Sequence, residues 1–228
     1  MNYYTEIATK KQKEIENLTQ IPNIDINQMV DFTLLRPDAT YEDLRNLIKI
    51  ATEKRYYAIC INPYFVPMAK ELISSEIKLC SVVGFPLGAL PLNLKLYELY
   101  WLMEQGVDEI DFVINISEVK NKNYKYVENE IREISRIFPN SKIIIETSLL
   151  TDEEKIELSK IVRNSKAKFV KTSTGFSKHG ATFYDVALIR AVVGNDFGVK
   201  ASGGIRDRET AIKMILCGAN RIGTSSII

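Results

Sequence analysis

The chain has 228 residues, 46% hydrophobic and 26% charged, ample apolar material for one large α/β core or two small ones. Its 30 Lys and Arg balance 29 Asp and Glu to a net charge of +1, which gives no electrostatic case for nucleic acid or an anionic membrane as partner. Three cysteines, Cys60, Cys80 and Cys217, are odd in number and lack CxxC spacing, so a disulfide scaffold or a zinc site is not expected and a reducing compartment fits.

In chain order, residues 1–26 precede the first strand and read as an extra N-terminal helix covering the bottom of the fold. Their Lys, Glu and Gln content provides no apolar secretion core. Strands are predicted at 28–33, 57–61, 78–83, 109–114, 142–146, 168–172, 198–201 and 221–223, where short β-rich apolar runs occur. Between them, helical periodicity covers 41–53, 94–105, 124–138, 152–161, 184–193 and 208–216. Asp152 and Glu153 favour the start of one helix and Gly106 the end of another. The apolar stretch 80–96 is broken by Gly84, Pro86, Gly88 and Pro91 and is no membrane span, so a cytoplasmic location is expected. The apolar stripe from Leu92 to Trp101 reads as helix packing.

The strand ends recur every 23 to 35 residues, the rhythm of strand-helix units. Eight such units predict a (β/α)8 TIM barrel, with 1–228 as a single domain and no linker inside it. A doubly wound sheet would carry G-x-G-x-x-G after its first strand, and none is present. Only Thr224 to Ile228 follow Gly223, so the final helix is expected to be short or missing.

Two of the predicted strands close on a lysine followed by small residues. These are Phe169-Val170-Lys171-Thr172-Ser173-Thr174-Gly175 and Gly198-Val199-Lys200-Ala201-Ser202-Gly203-Gly204. An ammonium at the end of a buried strand is costly to desolvate and needs a reason. Period two turns Lys171 and Phe169, Lys200 and Ser202, and Asp111 of the fourth strand into the barrel lumen, with apolar neighbours facing the helices. Ammonium groups about 5 Å apart at an effective dielectric near 20 repel by about 3 kcal/mol, enough to lower one pKa by about two pH units. A neutral amine so produced can attack a carbonyl, and either lysine could be the one. Pairing of the lysines with Asp111 or Glu146 as a static lumen salt bridge is the alternative.

Thr174-Gly175, Ser202-Gly203-Gly204 and Gly223-Thr224-Ser225 follow the last three strands, with Arg206 close by. Exposed N–H groups and hydroxyls there suit an anion, as barrels often hold phosphate in these loops. Asp31 and Thr33 could hydrogen-bond a substrate hydroxyl or cap the next helix. His179, the single histidine, lies in a polar loop and excludes a two-histidine metal site. Cys60, in an apolar strand, reads as core.

From Val30 to Ser226 the motifs resemble the 2-deoxyribose-5-phosphate aldolase family. The stations include Val30-Asp31-Phe32-Thr33-Leu34-Leu35, Val83-Gly84-Phe85-Pro86-Leu87-Gly88, Glu109-Ile110-Asp111-Phe112-Val113, the two lysine segments and Arg221-Ile222-Gly223-Thr224-Ser225. The resemblance implies a metal-independent class I aldolase, with no cofactor, acting on a sugar phosphate as a homodimer or homotetramer. It makes Lys171 the Schiff-base lysine, Lys200 its companion and Asp111 the proton relay. It also implies hydroxyl contacts near Asp31, Thr33 and Thr174, and phosphate at Gly175, Gly203, Gly204, Gly223 and Ser225. Phe32 stands where histidine is frequent, Leu90-Pro91-Leu92 replaces a polar run, and His179 replaces a small residue. A Schiff-base aldolase for another sugar phosphate and an inactive sugar-phosphate-binding barrel are the alternatives.

Overall fold

Thr40 and Thr151 each accept the N–H three residues on and are answered by Asp43 and Glu154, capping boxes that start two of the helices. The computed structural model of the protein describes residues 2–228. It opens with helix α1 (Tyr3–Glu16), followed by β1 (Val30–Leu34), α2 (Tyr41–Lys54), β2 (Ala58–Ile61), α3 (Val66–Leu72) and β3 (Lys78–Val83). Next come α4 (Leu92–Glu104), β4 (Glu109–Val113), α5 (Ile116–Lys120), α6 (Tyr124–Ile137) and β5 (Ser141–Ile144). The chain continues through α7 (Asp152–Arg163), β6 (Phe169–Lys171), α8 (Phe183–Val193), β7 (Gly198–Ser202), α9 (Arg208–Leu216) and β8 (Arg221–Thr224).

Among the described residues the eight strands are parallel and close in sequence order, β1 pairing with both β2 and β8. This is the (β/α)8 TIM barrel that the spacing predicts. Alternation along the strands sends Ile59, Ile110, Phe112, Ile143, Val170 and Val199 outward into one apolar layer with the helices. Each such buried side chain contributes about 1.5–3 kcal/mol. The inward positions are unusual for a barrel, whose lumen is commonly filled by branched apolar residues. Here Asp31, Glu109, Asp111, Lys142, Lys171, Lys200 and Arg221 are all buried.

Several expectations shift. Asn27–Met29 form a 3-10 turn, so the first strand begins at Val30 and not at Gln28. The N-terminal helix occupies Tyr3–Glu16 and not all of 1–26, and it packs along α8, with Ala8 against Ala187 and Leu188. Helices α3 and α5 escape the periodicity because seven and five residues hold too few turns to repeat an apolar stripe. The stripe from Leu92 to Trp101 is only partly packing. Leu99 and Leu102 are buried, whereas Leu94, Tyr97, Tyr100 and Met103 are exposed. The buried face of α4 instead includes Lys95, whose ammonium meets Glu130 of α6 and donates to the Val113 carbonyl at 3.0 Å. Residues 225–228 form no helix after β8, and the Ile228 N–H donates to the Tyr56 hydroxyl at 3.2 Å. No helix among the described residues is long and apolar enough to cross a membrane.

Candidate active site

Strand register brings the two marked lysines side by side. Lys171 on β6 and Lys200 on β7 are directly paired positions, and both side chains turn inward. They meet one carboxylate oxygen: Asp111 Oδ2 lies 2.6 Å from Lys171 Nζ and 2.7 Å from Lys200 Nζ. Sequence alone does not anticipate the third lysine here. Lys142, paired with Asp111 across β4 and β5, places its Nζ 3.0 Å from Asp111 Oδ1 and 2.7 Å from Glu109 Oε2. Arg221 completes the set, 2.8 Å from Asp31 Oδ1 and 3.3 Å from Glu109 Oε2, with its guanidinium 3.7 Å from the centre of the Tyr57 ring. The signal for Lys142, Glu109 and Arg221 is present in the sequence. Each sits two residues before another inward position, at the first or second residue of a strand.

The electrostatics differ from mutual depression of two amines. Burial pulls Lys200 down, but Asp111 and Asp31 outweigh it and hold the ammonium above the ordinary lysine range. Burial pushes Asp111 up, yet Lys142, Lys171 and Lys200 together hold it well below the usual carboxylate range. Lys142 is likewise raised, because Asp111 and its neighbours overcome the cost of burial. Opposite charges at contact distance therefore prevail over a like charge one strand away. The lumen is a salt-bridge cluster that includes both lysines, with three carboxylates facing four cations.

Asp31 has no exposed surface. Lys200 bonds its Oδ2 and Arg221 its Oδ1, so the expected substrate-hydroxyl contact does not fit its position. Thr33, two residues on, does reach the cavity, and its hydroxyl donates to the Asp31 carbonyl at 2.9 Å. Glu146 also departs from expectation. It lies beyond β5 in the left-handed region, with φ 56°, and orients no lysine. Its carboxylate accepts the Thr174 hydroxyl and, at 3.1 Å, the Thr174 N–H. Thr174 is thereby fixed at the cavity wall.

A cavity of about 590 Å³ opens above this network at the C-terminal ends of β1 and β6 to β8. Lys171, Thr33, Thr174 and Gly175 line one part of it. Gly203, Gly204, Arg206, Gly223 and Ser225 line it as well. Lys200, Lys142 and Asp111 do not reach it. The loops after β6 and β7 meet backbone to backbone: a Cβ on Gly203, at φ +83°, would come within 2.9 Å of Gly180 Cα. A Cβ on Gly223 would lie 2.9 Å from Ser202 Cβ and 3.1 Å from Lys200 Cε, so this glycine makes room for the lysine. Among the described residues the N–H groups of Gly204 and Ser225 find no acceptor within the chain, and Arg206 has no ion-pair partner. That combination of donors and positive charge suits a dianion.

Cys60 and Cys80 are buried in strands, as core thiols would be, but both point into the lumen. Their Sγ atoms lie 3.8 Å and 3.4 Å from the Asp111 carboxylate. Burial, Cys60 and Asp111 push the Cys80 thiol well up, so it stays protonated. These three groups lie close enough together to ligate one ion, but Asp111 is already bonded to three ammonium groups that compete with any cation. His179 is exposed in its loop.

The chain matches no family model. It is 48% identical over 209 residues to the deoxyribose-phosphate aldolase of Thermococcus kodakarensis, covering 89% of this chain and 93% of that protein. Among solved structures it resembles QR15, an aldolase, with TM-score 0.86 and 40% identity over 90% of this chain and 93% of the other. It also resembles the tetrameric deoxyribose phosphate aldolase of Aeropyrum pernix, with TM-score 0.82 and 32% identity over 98% and 93% of the two chains. With a shared barrel, near-complete coverage and almost half of the aligned positions identical, the chain belongs to the deoxyribose-phosphate aldolase family.

Proposed function

We propose that the protein cleaves 2-deoxy-D-ribose 5-phosphate reversibly to D-glyceraldehyde 3-phosphate and acetaldehyde, as a class I lyase working through an imine on Lys171. The observation that carries this reading is that Lys171 is the lumen lysine lining the cavity, with Asp111 bonded directly behind it. That geometry favours Lys171 over Lys200, a choice the strand pattern leaves open.

In the cleavage direction, unprotonated Lys171 Nζ attacks C1 of the open-chain aldehyde, and the carbinolamine takes up a proton and loses water to give the protonated imine. The C3 hydroxyl proton passes to Asp111 through a water as the C2–C3 bond breaks. Its electron pair flows into the imine to give an enamine, and glyceraldehyde 3-phosphate leaves. The enamine takes a proton at carbon, and one water releases acetaldehyde and the free amine. Asp111, through a water, is the group suited to move the carbon-bound proton. Lys200, held charged, stabilises negative charge on the carbinolamine oxygen. With Lys171 unprotonated the lumen holds three anions and three cations, so the nucleophilic form is also the electroneutral one.

Thr33 and Thr174 are read as hydroxyl contacts. Gly175, Gly203, Gly204, Gly223 and Ser225, with Arg206, are read as the phosphate cradle. Asp31 is assigned to holding Lys200 and Arg221 in place of a substrate contact. We further read 1–228 as one domain of a cytoplasmic homodimer or homotetramer, which light scattering on the purified protein measures directly. The reaction is tested by assaying acetaldehyde release from a panel of sugar phosphates. Deoxyribose 5-phosphate should be turned over with the highest kcat/KM, and EDTA should leave that rate unchanged. Preference for another sugar phosphate would contradict the assignment.

A further inference from the structure

Lys142 is an expensive residue with no assigned task. Its ammonium is buried below the cavity floor and touches no surface from which substrate could approach. Moving a lysine head group out of water costs several kcal/mol unless partners repay it. Its partners are Glu109 Oε2 at 2.7 Å, Asp111 Oδ1 at 3.0 Å, Cys80 Sγ at 3.4 Å and Asp31 Oδ2 at 3.7 Å. Glu109 also has Arg221, and Asp31 has both Arg221 and Lys200. Among the described residues, the one cation on the Oδ1 side of Asp111 is Lys142.

The two oxygens of Asp111 therefore have separate duties. Oδ2 faces Lys171 and Lys200, the side where the chemistry is read, and Oδ1 is anchored by Lys142 at 3.0 Å, with only the weaker Cys80 thiol donor beside it at 3.4 Å. A carboxylate held on one oxygen only can swing about its χ2 bond, which is broad and soft for aspartate. We propose that Lys142 is a positioning residue of the aldolase, fixing Asp111 by Oδ1 so that Oδ2 stays aimed at Lys171 during turnover. The proposal rests on the reading of Asp111 as proton relay.

The groups facing Asp111 are Lys142 from β5, Lys171 from β6, Lys200 from β7, Cys80 from β3, Cys60 from β2 and Asp31 from β1. Both thiols donate to the Asp111 carboxylate, and Asp31 is itself bonded to Lys200 and Arg221. Burial raises Asp111 and the three lysines lower it, Lys142 first among them. When Lys171 gives up its proton or becomes an imine, Lys142 and Lys200 are the cations left beside Asp111.

The test compares Lys142→Met with the paired variant Lys142→Met/Glu109→Gln in the full chain. The pair removes one cation together with its nearest carboxylate and so keeps the lumen charge balanced if the single variant fails to fold. Two readouts separate positioning from packing. One is exchange of acetaldehyde methyl protons in D2O, followed by NMR, which reads proton removal from the imine. The other is the acid limb of kcat against pH. Exchange should slow by about 10- to 100-fold, the cost of a slightly displaced base. The acid limb should move up by about one pH unit, because Asp111 loses an adjacent cation and binds its proton more tightly. Borohydride should still trap the imine. Wild-type exchange and an unmoved acid limb in the paired variant would overturn the proposal, leaving Lys142 as a counter-ion for Glu109. A wild-type protein that exchanges no methyl protons would refute the aldolase reading itself, a distinct result.

Discussion

Lys200 contributes charge. Its Nζ bridges Asp31 and Asp111 with no exposed surface, so it is held as an ammonium next to Lys171, the amine we propose to react. Lys200→Leu removes that charge where the carbinolamine oxygen develops, and kcat should fall about 10²- to 10³-fold with a smaller change in KM, measured by steady-state kinetics. A variant with unchanged kcat would show the ammonium to be structural only. The sequence makes Lys171, Lys200 and Asp111 legible because each is a charged residue flanked by outward apolar neighbours in a strand. It fails on the sign of the interaction. Repulsion between neighbouring lysines can be inferred from spacing, but the three carboxylates that reverse it come from β1 and β4, and their distances exist only after the barrel closes. Lys142 is missed for a related reason: it is the second residue of β5, away from the C-terminal strand ends where barrel chemistry is expected.

At the scale of elements, the barrel is legible because strand-helix alternation is a long-range regularity that tolerates errors of two residues at any boundary. The short helices and the Glu146 turn are not legible, since neither has a period to read. The structure also holds one buried pair fastening two helices to the sheet. Lys95 on α4 and Glu130 on α6 are both fully buried, and Glu130 also accepts the Asn115 N–H at 2.8 Å. Burial pulls Lys95 below its ordinary range and pushes Glu130 above its own, so the mutual attraction does not fully offset desolvation. Lys95→Met alone strands a buried carboxylate and should cost about 3–5 kcal/mol in urea unfolding. Lys95→Met/Glu130→Gln keeps an acceptor for Asn115 and should recover more than half of that loss. Equal losses in the two variants would mean that packing, not charge, is what Lys95 supplies.

For the molecule as a whole, the lumen couples stability to pH. Burial raises Asp31, but Lys200, Lys142 and Arg221 hold it below the ordinary carboxylate range, and Asp111 is lowered likewise. Groups depressed in this way contribute stability that is complete above the unfolded value of about 4 and is lost as pH falls through their folded values. Lys142, Lys200 and Arg221 are raised, so their contribution holds below their unfolded values, about 10 for lysine, and is lost only in strong alkali. Unfolding free energy should therefore form a plateau from about pH 5 to 9 and fall on the acid side. Asp31→Asn, which leaves Lys200 and Arg221 short of a counter-ion, should lower the plateau by about 3–5 kcal/mol and flatten the acid fall. A wild-type acid fall retained in Asp31→Asn would place the linkage elsewhere.

The network has one outlet to the cavity, at Lys171, and the most direct measurement is made there. The protein is incubated with acetaldehyde, reduced with borohydride, digested and mapped by mass spectrometry. The account predicts an ethyl group on Lys171, with Lys142 and Lys200 unmodified, and no adduct in Lys171→Leu. An unmodified Lys171, with the adduct on Lys200 or absent, would contradict it.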